Sequence, residues 1–158
     1  MAPEVGTEAP DFTVKDQNNQ AVTLSSFRGE RAVLLVFYPF AFSGICTSEL
    51  GAVRDDLADF QNDDVQILGI STDPPYALKA WSDSQGFDFP LLSDFWPHGE
   101  VARAYGVFDE RIGFAVRGTF LVDTAGVLRW SVVNGIPDAR DIEDYKTAIA
   151  ALRRPSGN

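Results

Sequence analysis

The longest wholly apolar stretch of the chain, Ala32-Val33-Leu34-Leu35-Val36-Phe37-Tyr38, constrains its fold more than any other feature. It is far shorter than the ~20 residues that a spanning helix requires, so it predicts a core element and no membrane span. Branched and aromatic residues dominate it, and apolar and polar side chains do not alternate. That pattern predicts a strand covered on both faces, a parallel strand at the centre of a sheet with a layer packed on each side.

The flanking sequence supplies the rest of such a sheet. Residues 12–15 and 20–24 bracket the polar Asp16-Gln17-Asn18-Asn19 and predict a hairpin at the amino end. From Cys46 to about Gln61 apolar residues fall at Leu50, Val53, Leu57 and Phe60, the three-and-four spacing of one helix face, with Pro39 and Gly44 in the preceding turn. Residues 65–70 predict a second buried strand. Asp73-Pro74-Pro75 predicts a helix start with a capping carboxylate, the helix carrying Ala77 and Trp81 on its inner face and ending near Gly86. A short strand near Leu91 and a helix near Glu100 follow.

Residues 114–122 and 127–133 predict antiparallel strands joined by the turn Asp123-Thr124-Ala125-Gly126. A last helix is expected from near Asp138 to about Arg153, burying Ile142, Tyr145, Ile149 and Leu152, with residues 155–158 a frayed tail. The order describes an α/β fold, a central mixed sheet flanked by helices with an amino-terminal hairpin, similar to the thioredoxin-like layer. No linker divides residues 1–158, so a single domain is expected, large enough to bury about two thirds of its unfolded surface without staples.

Thirteen Lys and Arg against 23 Asp and Glu give a net charge of −10, which repels phosphate backbones and anionic membrane surfaces. Nucleic acid and membrane partners are therefore not expected. The amino terminus, Met1-Ala2-Pro3-Glu4, lacks the charged and apolar regions of a secretory signal, and a single cysteine cannot close an intrachain disulfide. A reducing compartment, the cytoplasm, is the expected location.

That cysteine, Cys46, stands where the apolar strand gives way to the helix. Free N–H groups and the macrodipole at a helix start stabilise a thiolate, and the N–H groups of Thr47 and Ser48 are the candidates. Cys46 also lies four residues before Leu50 and can share its apolar stripe, so an inert packing thiol is the competing reading. A thiolate attacking a peroxide O–O bond needs its own ionisation, a placed peroxide and a stabilised leaving oxygen. Ser43, three residues before Cys46, can offer a hydroxyl, or serve only as a turn or cap. Pro39 can shield the sulfur, and Arg117 can supply a permanent cation or be an ordinary surface charge. Glu49 can favour the first helical turn or orient Arg117. Acidity alone achieves little. Lowering a thiol pKa from ~8.5 to ~6 raises the thiolate fraction at pH 7 about thirtyfold, but the accompanying loss of nucleophilicity leaves only about threefold. Large acceleration must come from groups that hold the peroxide and its leaving oxygen.

Pro39, Ser43 and Cys46 stand at the spacing Pro-x3-Ser/Thr-x2-Cys, which resembles the active-site pattern of the peroxiredoxins. The resemblance extends to Ala9-Pro10-Asp11-Phe12, Phe89-Pro90-Leu91-Leu92-Ser93-Asp94, Tyr105-Gly106-Val107 and Arg117-Gly118-Thr119-Phe120. Residues 86–99 are similar to the one-cysteine alkyl hydroperoxide reductase E branch. It implies a thiol peroxidase acting on hydrogen peroxide, organic hydroperoxides and peroxynitrite, with Cys46 as nucleophile, Pro39, Ser43 and Arg117 as the other site residues, and Glu49 as an accessory carboxylate. Ser43 replaces the more usual Thr, keeping the hydroxyl and dropping a methyl. It also implies a homodimer or higher oligomer. With no second cysteine to resolve a Cys46 sulfenic acid, an external thiol must regenerate it; in that branch this is mycothiol with mycoredoxin, or a thioredoxin-like protein. A peroxide sensor that passes oxidation to a partner, and a thioredoxin-like binding module with an inert thiol, are the alternatives.

Other motifs point elsewhere only weakly. His98, the single histidine, reads as a turn residue, and one Cys with one His predicts no metal site. Residues 113–119 have the glycine spacing of a phosphate loop, but lack its Lys and lead into a strand, so no nucleotide cofactor is expected. Trp81, Phe87, Phe89, Phe95 and Trp96 read as core, with a minority at an interface.

Overall fold

The computed structural model describes residues 2–152. Its strands are β1 (Thr13–Asp16), β2 (Ala21–Thr23), β3 (Ala32–Phe37), β4 (Val65–Ser71), β5 (Leu91–Ser93), β6 (Phe108–Asp109), β7 (Phe114–Ala115), β8 (Arg117–Val122) and β9 (Leu128–Asn134). Its α-helices are α1 (Gly44–Asp55), α2 (Pro75–Gln85), α3 (Glu100–Ala104) and α4 (Ile142–Leu152).

Seven strands form one mixed sheet in the order β2-β1-β5-β4-β3-β8-β9, and β6 and β7 make a separate two-stranded ribbon. The apolar run at Ala32 becomes β3 near the middle, parallel to β4 and antiparallel to β8, with every residue buried. Its side chains alternate between two cores, as the pleat requires. Leu34, Val36 and Tyr38 pack with Leu50 and Val53 of α1, Leu78 and Trp81 of α2, and Tyr145 and Ile149 of α4. Val33, Leu35 and Phe37 pack with Val101 and Ala102 of α3, Tyr105 and Phe120. Each fully buried aliphatic or Phe side chain contributes about 1.5–3 kcal/mol, so this strand anchors both layers. The amino-terminal hairpin forms as expected, Thr13 pairing with Thr23, and attaches to the sheet through β5.

Several boundaries differ from the sequence expectation. The first helix starts at Gly44 and ends at Asp55, and a separate 3-10 turn, Leu57–Asp59, carries the chain to the buried Phe60. Asp55 and Asp56 sit at the helix end where the macrodipole is negative, which disfavours continuation. The expected strand 114–122 breaks at Val116, whose N–H donates to Val107 O at 2.9 Å while Gly118 N–H donates to Val116 O at 3.0 Å. The two halves consequently pair with different strands, β7 with β6 and β8 with β3 and β9. The last helix begins at Ile142, because Asp141 Oδ1 rather than Asp138 accepts the Glu143 N–H, at 2.9 Å. Its Tyr145 and Ile149 are buried, and Ile142 and Leu152 pack partly buried against the core. Arg153 and the expected tail at 155–158 lie outside the described residues.

In α2, Leu78 accompanies Trp81 inside while Ala77 is only half-buried. Gly86 ends that helix at φ 68, the left-handed conformation that glycine adopts freely. Asp73 does not cap α2, whose N-cap is Pro74 without a side-chain bond. Among the described residues, no helix is long and apolar enough to cross a membrane.

Candidate active site

The strand-to-helix junction that sets the fold also sets the site. β3 delivers the chain through Tyr38 and Pro39, both buried, into a turn that enters α1 at Gly44 with Ser43 as extended N-cap (φ −74, ψ 151). Cys46 is therefore the third helical residue rather than the first, and its side chain is buried at 0% exposure. The Thr47 N–H already donates to Ser43 O at 2.9 Å, so it is a helix bond and not a donor to sulfur. The N–H groups that precede this first helical bond belong to Gly44, Ile45 and Cys46. Ser43 Oγ donates to Phe40 O at 3.1 Å, a turn contact, and makes no capping bond.

Arg117 opens β8 and, at 2% exposure, is no surface charge. Its Nη1 donates to Cys46 Sγ at 3.3 Å and to Glu49 Oε1 at 2.6 Å, while its Nε donates to Ile136 O at 2.6 Å. Glu49 reaches this point because it lies three residues after Cys46, on the same helical face. The structure thus brings together Cys46, Glu49 and Arg117, three of the five expected site residues, in direct contact. Pro39 and Ser43 form the turn beside them.

Arg140 completes the cluster and was not expected. Its Nε donates to Glu49 Oε2 at 2.9 Å, its Nη2 to Oε1 at 3.0 Å, and its backbone N–H to Oε2 at 2.6 Å. Nη1 holds Gly118 O at 2.9 Å and Thr119 Oγ1 at 3.0 Å. Thr119 Oγ1 in turn donates to Tyr145 Oη at 3.2 Å. In sequence, Arg140 stands between Asp138 and Asp141 just ahead of a helix, where a cation reads as solvated, and no spacing signals its burial. Burial acts to raise the Glu49 pKa, but the hydrogen bonds and charge of Arg140, with the charge of Arg117, hold it below the ordinary value. The cluster holds two guanidiniums and one carboxylate, which leaves one positive charge unbalanced beside the sulfur.

Tyr38 Oη is buried without a hydrogen bond in this structure, and burial pushes the phenol pKa well above its ordinary value. The neighbouring Ser71 hydroxyl donates to Asp73 Oδ2 at 2.7 Å instead. Aromatic side chains surround the turn: the Phe40 ring lies 4.1 Å from that of Phe114, and Phe42 lies 6.3 Å from Trp81. Trp81 Nε1 donates to Thr47 Oγ1 at 3.3 Å. Of the remaining aromatics, Phe87 and Phe89 are core, whereas Phe95 and Trp96 are exposed at 47% and 81%. His98 faces Phe95 O at 3.2 Å and Gly113 O at 2.7 Å, tying two loops together. Among the described residues, no group of three or more His, Cys, Asp and Glu side chains is arranged to hold a metal ion.

A buried thiol at the start of a helix, faced by a guanidinium that a carboxylate fixes in place, suits nucleophilic attack on a small electrophile. Residues 5–131 match the AhpC/TSA family, to which this chain belongs; it is a peroxiredoxin, a thiol-dependent peroxidase with one cysteine. It is 53% identical over 148 residues to alkyl hydroperoxide reductase E of Mycobacterium tuberculosis, covering 94% of this chain and 97% of that protein. A putative peroxiredoxin of Synechocystis is 34% identical over 159 residues, covering 94% of this chain and 78% of that protein. The fold is thioredoxin-like. The crystal structure of peroxidoxin BcpB from Mycobacterium tuberculosis superposes with a TM-score of 0.85 at 29% identity, covering 96% of this chain and 99% of that one. The reduced 2-Cys peroxiredoxin of Plasmodium vivax superposes at 0.86 and 28% identity, covering 99% and 90%.

Proposed function

We propose that Cys46 is the nucleophile of the peroxidase reaction and that Arg117, Pro39 and Ser43 form its site, with Glu49 holding Arg117. The observation that carries this reading is the Arg117 Nη1 contact with Cys46 Sγ at 3.3 Å, made by a guanidinium buried with it. An inert packing thiol needs no buried cation, and burying one without purpose is costly. The Cys46 thiolate attacks one peroxide oxygen, the O–O bond breaks, and sulfur becomes a sulfenic acid. The departing group leaves as hydroxide or alkoxide, which takes a proton to become water or alcohol, or from peroxynitrite as nitrite. Negative charge spreads from sulfur over both oxygens in the transition state, where the unbalanced positive charge of the Arg117, Glu49 and Arg140 cluster stabilises it without reorganisation.

Hydrogen peroxide, organic hydroperoxides and peroxynitrite are the proposed substrates. Reduction then needs two external thiols: the first condenses with the sulfenic acid to a mixed disulfide and releases water, and the second displaces Cys46 by exchange. Mycothiol with mycoredoxin, or a thioredoxin-like protein, fits this role, consistent with the identity to alkyl hydroperoxide reductase E. We further propose a single-domain protein that works in the reducing cytoplasm as a homodimer or larger assembly, for which the exposed Phe40, Phe42 and Trp96 are contact candidates.

One equivalent of hydroperoxide added to reduced protein is expected to give a +16 Da adduct on the peptide containing Cys46, absent in Cys46→Ser. Adduct formation no faster than that of free cysteine overturns the assignment.

A further inference from the structure

Asp73 follows β4 and precedes the prolines that open α2, the place of a helix cap, yet its carboxylate is turned away from that helix. Asp73 Oδ2 accepts the Ala41 N–H at 2.8 Å and the Ser71 hydroxyl at 2.7 Å. Ser71 is 1% exposed in β4, and the Asp73 backbone carbonyl accepts Ser93 Oγ of β5 at 2.6 Å. Asp73 is thus fixed to two adjacent strands of the central sheet, its carboxylate by Ser71 and its backbone carbonyl by Ser93, and from there the carboxylate grips the turn that leads from β3 to Cys46.

That turn requires an external hold. Ala41 lies two residues after Pro39 and five before Cys46, and the next residue, Phe42, has φ +69. A bulky L-residue disfavours this left-handed conformation, so the local chain does not stabilise the turn by its own preference. The hydrogen bond from Ala41 to a carboxylate is charge-assisted and stronger than a neutral one. The turn also matters to the chemistry, because Cys46 is fully buried behind it. A small peroxide needs only a slight displacement of the turn to reach such a sulfur, whereas a thiol reductant needs the whole segment to move aside.

We infer that Asp73 is a positioning residue that latches the 39–46 segment closed and thereby sets how often the Cys46 sulfur is exposed to a thiol partner. The inference rests on Cys46 being the reacting thiol. Because the closed form dominates, weakening the latch multiplies the small open population while leaving the closed one almost unchanged. Reactions that need opening accelerate, and reactions of the closed site do not.

The test compares the full-length wild type with Asp73→Ala and Asp73→Asn by three readouts: labelling of reduced Cys46 with a bulky maleimide, stopped-flow oxidation by hydrogen peroxide, and hydrogen exchange. Loss of one charge-assisted bond is expected to speed maleimide labelling in Asp73→Ala about tenfold. Exchange of peptides covering residues 39–46 accelerates in parallel, that of residues 65–71 stays at the wild-type rate, and oxidation by peroxide changes by less than about twofold. Asp73→Asn keeps an acceptor oxygen for Ala41 and is expected to label about threefold faster than wild type, a milder variant that carries the test by itself if Asp73→Ala does not fold. Unchanged labelling and exchange overturn the latch, and so does equal acceleration in residues 65–71, which reports general loosening. Failure of wild-type Cys46 to react with peroxide removes the catalytic reading instead, while labelling and exchange still report on the latch.

Discussion

Glu49→Gln tests the electrostatic logic of the site most directly. Glu49 accepts bonds from Arg117 Nη1, Arg140 Nη2, Arg140 Nε and the Arg140 N–H, all within 3.0 Å and all buried. With the carboxylate present, two guanidiniums share one anion; with Gln, two buried cations face an amide that turns its own donor toward one of them. Breaking a buried ion pair from one side costs about 3–5 kcal/mol, a large part of the ~5–15 kcal/mol that stabilises a domain. At a urea dependence of about 2 kcal/mol per molar, the unfolding midpoint should fall by about 2 M. Arg140→Met is expected to cost less, about 2 kcal/mol, because it leaves a neutral Arg117–Glu49 pair and removes the donor to Gly118 O and Thr119 Oγ1. The double variant retains one buried cation and should be no less stable than Glu49→Gln alone, giving a favourable coupling of about 2 kcal/mol. Equilibrium urea unfolding followed by tryptophan fluorescence measures all three. A Glu49→Gln variant within 1 kcal/mol of wild type, or more stable than Arg140→Met, would refute the charge count.

Three further outcomes follow from the geometry. Asp94 is buried and, despite bonds from the Val101 and Ala102 N–H groups, burial raises its pKa from 3.8 to about 6, so the folded state binds a proton that the unfolded state has lost between these values. Stability should therefore fall as pH rises from about 4 to about 6, by about 3 kcal/mol at most, and Asp94→Asn should flatten that slope in urea titrations; a slope identical in both proteins excludes Asp94 as its source. Glu49 acts with the opposite sign: its lowered pKa contributes stability present above its unfolded value and lost as pH falls through the folded one. Gly118→Ala places a methyl 2.7 Å from Val107 Cγ1 and 3.1 Å from Phe120 Cε2, and calorimetry should show a loss of about 1–3 kcal/mol; an unchanged Tm contradicts the packing. Thr119→Val deprives Arg140 and Tyr145 of a shared partner and should cost about 1–3 kcal/mol in urea unfolding, against no change if those bonds are idle.

The sequence by itself determined the central strand at Ala32, the helix that follows it, the amino-terminal hairpin, and Cys46 at their junction, because these depend on local periodicity and turn chemistry. The spacing of Pro39, Ser43 and Cys46 was likewise legible, since all three lie on one short segment. Only the tertiary structure decided what surrounds the sulfur. Arg117 lies 71 residues from Cys46 and Arg140 lies 91 from Glu49, and a charged residue carries no local mark of whether it will be buried. Asp73 shows the same limit from the other side: its sequence position has the form of a helix cap, yet its carboxylate holds Ala41, 32 residues earlier. Its local signal was overridden because parallel pairing of β3 with β4 brings the carboxyl ends of both strands side by side, where the turn into α1 presents the Ala41 N–H to the carboxylate. Periodicity decides which elements form, and sheet order decides which of their ends meet to make a site.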